Sequence, residues 1–153
     1  CREAGVECHV VHNASVLTAV AGELGLQHYR FGPVATLVLP EGNYKPLSPA
    51  KQVLQNLELG FHSLVLLDIH ADDPAAEPRL MTAHEGAVLL LDGGVLPEAL
   101  ACAAARVGRS DQKLWTGSLG EMPQADLGQT PHSLVIPGKL HFIEEEALAT
   151  LRE

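Results

Sequence analysis

The chain has 153 residues, of which 46% are hydrophobic and 19% charged; that suits one globular domain able to bury its own core and excludes a disordered chain. Ten basic residues against nineteen acidic ones leave a net charge of −9, which speaks against the basic stripe of a nucleic-acid binder and is compatible with a basic protein partner. No apolar run reaches membrane-spanning length, and the three cysteines (Cys1, Cys8 and Cys102) are odd in number and not spaced as a disulfide framework, so a reducing compartment is expected.

In chain order, Cys1–Gly5 reads as the end of a helix stopped by Gly5, so the sequence is expected to open in mid-domain. The β-branched run Val6–Val11 reads as a strand. Asn13 is a good N-cap for a helix running to Leu24, with Val16, Leu17, Val20, Ala21 and Leu24 at helical spacing and Gly25 at its end. A strand-to-helix turn at His12–Ser15 follows. Such turns bind ligands in α/β proteins because their N–H groups point outward, and they also occur with no ligand at all. Gly32-Pro33 punctuates a linker. Val34–Leu39 is an apolar strand, and Ser48 caps a helix to about Leu59 with Pro49 at its first position and Gly60 after it. Ser63–Ile69 is continuous in its apolar middle, as expected of a central strand buried on both faces. Ala71–Leu80 is a surface loop. Thr82-Ala83-His84-Glu85 is a capping box for a helix ending at Gly93-Gly94. Periodicity makes the Ala-rich stretch Ala99–Arg106 a helix. Lys113–Thr116 and Ser133–Ile136 read as strands, Ser118–Met122 as a helical turn and Glu144–Leu151 as a terminal helix. Alternation of the two element types gives an α/β layered domain.

Residue types alone reveal little chemistry. Cys8, His9 and His12 lie close together, but neighbours on a strand face opposite ways and no matching zinc pair exists elsewhere. There is no nucleophile elbow and no phosphate loop.

The order of short motifs carries more. His12-Asn13-Ala14-Ser15-Val16, Gly25-Leu26-Gln27, Tyr29-Arg30-Phe31-Gly32, His62-Ser63-Leu64, Leu66-Leu67-Asp68-Ile69, Ala105-Arg106-Val107-Gly108, Asp111-Gln112-Lys113, Gly117-Ser118-Leu119, Asp126-Leu127-Gly128 and Pro131-His132-Ser133-Leu134 follow one another in register. Together they resemble the diphthine synthases, and the tail Pro137-Gly138-Lys139-Leu140-His141-Phe142 is similar to the archaeal branch. The resemblance covers the second half or so of that family.

It implies a tetrapyrrole-methylase-type methyltransferase fold, with residues 1–32 as the last strand and helix of an N-terminal domain and residues 33–153 as a C-terminal α/β domain. It also makes Ala99–Arg106 a strand. It implies S-adenosyl-L-methionine as methyl donor, with S-adenosyl-L-homocysteine as product, and repeated N-methylation of the modified histidine of translation elongation factor 2 in diphthamide biosynthesis. A cytoplasmic homodimer that binds neither nucleic acid nor membrane is expected. The cofactor positions carried over are Ser15, Val16, Leu67, Val107 and His132, with no metal ligand and no assigned catalytic residue. Methyl transfer from a sulfonium leaves a neutral thioether, so it asks for alignment and exclusion of water more than for acid–base groups. Two alternatives stand beside this reading: a methyltransferase of the same fold with a small-molecule acceptor, and a non-catalytic half-domain binding a ligand or partner. The family's Gly-rich turn and Gly-Asp-Pro segment are not in this sequence, so the chain alone is expected to supply one wall of an interdomain cleft and to be inactive by itself. Val16, Leu17, Val20 and Leu24 are expected to be left without the sheet they would cover.

Overall fold

The computed structural model describes residues 2–9, 11–40, 42, 46–71 and 77–151. Helix α1 (Val16–Glu23) opens two residues later than Asn13 suggested, because the Asn13 side chain is spent on the Ala14 N–H at 2.8 Å and Ser15 takes the cap, its hydroxyl accepting from Leu17 N. Helix α2 (Ser48–Glu58) likewise begins at Ser48 itself, with Leu47 as an N-cap that offers no side-chain bond. Helix α3 (Ala83–Asp92) has the expected capping box: Thr82 accepts from Glu85 N while Glu85 accepts from Thr82 N. Helix α4 (Phe142–Ala149) starts two residues before Glu144, because His141 caps it and Glu144 closes a second box.

Strand β1 (Ala35–Thr36) pairs in parallel with β2 (Ser63–Leu66). A separate antiparallel pair joins β3 (Ile69–His70) to β4 (Arg79–Leu80), the latter at the end of the segment expected as loop. Strands β5 (Leu100–Ala105), β6 (Lys113–Ser118) and β7 (His132–Ile136) complete a five-stranded sheet of order β1-β2-β7-β5-β6, antiparallel except at β1. The apolar run from Ser63 therefore ends at Leu66 rather than Ile69. The centre of the sheet is β7, which inserts between β2 and β5. Burial of β2 on both faces says that it is interior, not that it is the middle strand.

The sheet is covered on both sides. Along β5, Ala101, Ala103 and Ala105 face the core under α2 and α3, while Cys102 and Ala104 face α1 and α4. Small residues on both faces let the helices come close. A β-carbon at Gly86 of α3 would stand 2.8 Å from Leu67 Cδ2 and 2.9 Å from Leu134 Cδ1.

Two expectations about the first residues are corrected. Among the described residues of Val6–Val11 there is no strand, and Val6 and Val11 are exposed. β-branched residues favour extended backbone, but a strand exists only with a hydrogen-bonded neighbour, and none lies beside this segment among the described residues. Nor do Val20 and Leu24 wait for another sheet: both are buried against Leu64, Cys102, Ala104, Val135 and Leu148, while Leu17 stays exposed. Burial of this kind contributes about 1.5–3 kcal/mol per side chain. The backbone continues across Gly32-Pro33 without a gap, since Phe31 bridges to His62 and Gly32 N donates to His62 O at 2.9 Å.

A buried polar knot fixes α1 and α4 at the N-terminal end of β2. Glu144, fully buried, accepts from His62 Nε2 at 3.0 Å, from Gln27 N at 2.8 Å and from His141 N at 2.7 Å. The Gly138 N–H donates to His62 Nδ1 at 3.0 Å. An amide can only donate, so His62 is neutral with its proton on Nε2. Desolvation, the largest influence, lowers the His62 pKa against the pull of Glu144. For Glu144, desolvation pushes the pKa up, but the three N–H donors outweigh it and hold the carboxyl below its usual range.

Candidate functional site

The opposite end of β2 opens into a cavity of about 470 Å³. Four stretches of chain meet there. The N-terminus of α1 brings Ser15 and Val16; the exit of β2 brings Leu67; the exit of β5 brings Arg106 and Val107; the start of β7 brings His132. Because β7 runs antiparallel to β2 and β5, its beginning lies at the same edge as their ends. All five residues carried over from the sequence therefore line one cavity, although they span 117 positions between Ser15 and His132.

Each is held in place by local structure. Ser15 is the cap of α1, so its hydroxyl accepts from Leu17 N and its own proton remains available to donate. Val16 begins the helix and is half-buried. Leu67 follows the last residue of β2 and packs on the α3 side of the sheet. Val107 packs against the α1 and α4 side. The walls are mostly apolar.

His132 is buried and fully used by its surroundings. Ala83 N, the first amide of α3, donates to Nδ1 at 3.1 Å, so the ring proton is on Nε2, which donates to Gln129 O at 3.1 Å. Burial, the largest influence, lowers its pKa below 6.5; the Gln129 and Gly128 carbonyls oppose this, and Arg106 and His84 add to it. His132 is thus a neutral, oriented ring that cannot take a proton without losing its bond to α3.

Arg106 is the residue that residue-by-residue reading passed over. It is 6% exposed, and its φ of 51° lies in the left-handed region that side chains other than Asn and Asp rarely adopt. Its Nε donates to Asp111 O at 3.1 Å and pairs with Asp111 Oδ2 at 2.8 Å, its Nη2 donates to Asp111 O at 2.7 Å, and its Nη1 donates to Leu127 O at 2.9 Å and to Gln129 O. Its backbone N–H donates to Pro131 O at 2.9 Å. An arginine inside an Ala-rich strand exit, with an Asp five residues on, was the available signal. Among the described residues, no group of three or more His, Cys, Asp or Glu side chains could hold a metal ion.

No protein-family model matches the chain. Individual relatives do. A diphthine synthase from Methanocaldococcus jannaschii is 40% identical over 99% of this chain and 61% of its own length. A diphthine methyl ester synthase from Emericella nidulans is 38% identical over 95% of this chain and 57% of its own length. The chain is thus similar to diphthine synthases over nearly its whole length. Solved structures agree. A crystal structure assigned to diphthine synthase from Entamoeba histolytica superposes with a TM-score of 0.92 at 32% identity, covering 100% of this chain and 63% of that one. A second diphthine synthase structure gives 0.84 at 28% identity, with 99% and 57% coverage. The chain spans about 60% of the length of the curated diphthine synthases it matches and corresponds to their C-terminal portion. Its α/β fold is of the tetrapyrrole-methylase type shared by diphthine synthases.

Proposed function

We propose that this chain is the C-terminal part of an S-adenosyl-L-methionine-dependent methyltransferase that methylates the modified histidine of translation elongation factor 2 repeatedly, on nitrogen, during diphthamide biosynthesis. The carrying observation is the convergence of Ser15, Val16, Leu67, Val107 and His132 on one cavity in a chain 40% identical to a diphthine synthase. In the same reading, residues 1–32 complete a preceding methyltransferase domain, residues 33–153 form the C-terminal domain, and the enzyme works in the cytoplasm as a homodimer. No described helix is long and apolar enough to cross a membrane.

The cavity suits the cofactor on chemical grounds. Its volume lies within the usual range of about 300–1,000 Å³ for small-molecule sites. Leu67 and Val107 offer apolar walls for the adenine ring and the thioether. The Ser15 hydroxyl offers a donor for the polar groups, and the His132 ring is held at a fixed angle by α3. When bound, the cofactor supplies a methyl group on a sulfonium. The residues of this chain bind it, exclude water and present it. His132 cannot act as the base that receives the acceptor's proton, because both ring nitrogens are engaged. Alignment remains as the main contribution, worth about 7–11 kcal/mol in favourable cases.

The test is a chimaera in which this chain replaces the matching portion of the Methanocaldococcus jannaschii relative. Methyl transfer to elongation factor 2 bearing the unmethylated intermediate is expected from the chimaera and not from the 153-residue chain alone. A well-folded chimaera without transfer would count against the reading.

A further inference from the structure

We propose that Arg106 is a positioning residue that sets the geometry of the cavity wall, and so governs cofactor affinity without touching the cofactor through its guanidinium; this rests on the cofactor reading of the cavity. Two of the five candidate contacts hang on Arg106. Val107 follows it directly, so the left-handed turn at Arg106 decides where the Val107 side chain points. His132 donates to Gln129 O, and that carbonyl also accepts from Arg106 Nη1. The backbone N–H of Arg106 holds Pro131 O, one residue before His132.

The guanidinium makes five contacts with carbonyls from two loops and one carboxylate: Nε–H is shared between Asp111 O and the Asp111 carboxylate, Nη2 reaches Asp111 O, and Nη1 reaches Leu127 O and Gln129 O. The loop 126–129 wraps it tightly: a β-carbon on Gly128, itself at φ 69°, would stand 3.3 Å from Arg106 Nη2. Gln112 straps the same region from outside, accepting from Gly108 N at 2.7 Å and donating to Glu23 of α1 at 2.6 Å. A planar fork with five fixed donors can gather separate carbonyls in this way, and a lysine ammonium cannot. The guanidinium is thus turned into the loops while its backbone turns the wall toward the cavity.

The experiment compares the whole chain with Arg106→Lys and Asp111→Asn, and with Arg79→Lys as a remote control. Two readouts are taken below the melting temperature of every variant: affinity for S-adenosyl-L-homocysteine by calorimetry, and the ring nitrogen signals of His132 by NMR. Misplacement of a positioned wall by about 1 Å can cost about 100-fold. Arg106→Lys is expected to weaken the probe by about 10- to 100-fold and to release His132 from its single Nε2–H tautomer. Asp111→Asn, which keeps the fork on its carbonyls, is expected to do the same to a smaller degree, and it serves if the lysine variant does not fold. Arg79→Lys should match wild type. Unchanged affinity and unchanged His132 signals in both Arg106→Lys and Asp111→Asn, with only a lower melting temperature, would reduce Arg106 to a structural role and overturn the proposal. If wild type itself shows no binding by calorimetry, the chimaera decides on the cofactor reading, and the His132 signals alone decide on Arg106: altered in the variants they uphold its positioning role, unaltered they overturn it.

Discussion

Replacing Glu144 with alanine should be among the most damaging single changes in the chain. The side chain is 0% exposed and accepts from His62 Nε2, Gln27 N and His141 N. Alanine orphans the His62 and Gln27 donors in a dry site, at about 1–3 kcal/mol each, and removes the capping box of α4, worth about 1 kcal/mol. His62 is neutral, so no buried charge is left behind and the loss falls in the lower part of that range, about 3–5 kcal/mol. For a chain of this size, 1 kcal/mol moves the melting temperature by about 2–4 °C, so a drop of about 6–20 °C is expected. The neighbouring Glu145 is exposed, and Glu145→Ala should stay within about 0.5 kcal/mol of wild type. Thermal unfolding of both variants by circular dichroism measures the difference. A Glu144→Ala midpoint within about 2 °C of Glu145→Ala would refute the reasoning, since the knot would then be replaceable by water or by local relaxation.

Stability should fall on mild acidification. His62 and His132 both have pKa values lowered from 6.5 in the fold, so the unfolded chain binds more protons; their contribution is complete above 6.5 and is lost as pH falls below it toward the folded values. Urea midpoints at pH 7.5, 6.5 and 5.5 (about one-unit steps around the histidine range) should decline, and a flat profile would contradict the assigned neutral rings. Gly86→Ala should fail to stabilise α3, because the clash with Leu67 and Leu134, at about 1–3 kcal/mol, cancels or exceeds a helix-propensity gain of about 1 kcal/mol; a raised melting temperature would show that the helix can back away. Val107→Phe should fill the cavity and weaken S-adenosyl-L-homocysteine with little change in melting temperature, and unaltered affinity would place the ligand elsewhere.

Much of the helical layout was legible because capping chemistry is local. The Thr82 box and the glycines after α1, α2 and α3 depend on residues within four positions of each other. Strands were harder. Val6–Val11 has strand propensity but, among the described residues, no neighbour to pair with, whereas Ala99–Arg106 has helical periodicity yet supplies β5, because alanines on both of its faces fit between two helix layers. Both outcomes depend on partners far away in sequence. The candidate positions Ser15, Val16, Leu67, Val107 and His132 were quoted from a resemblance, and no local pattern puts them together. What joins them is the antiparallel placing of β7 between β2 and β5. The Arg106 clamp and the His62–Glu144 knot were not legible, since most of their partners lie from 5 to 117 positions away and many are backbone groups that side-chain types do not encode.

The central claim is that the cavity at the exits of β2 and β5 holds the methyl donor. The most direct measurement is an amide NMR titration of the ¹⁵N-labelled chain with S-adenosyl-L-homocysteine carried to millimolar concentration. The account predicts shifts that saturate and that concentrate at Ser15, Val16, Leu67, Val107 and His132, even if the affinity of this chain by itself is weak. Saturating shifts centred instead on the groove between Leu39 and Val88, or no shifts at any concentration, would contradict it.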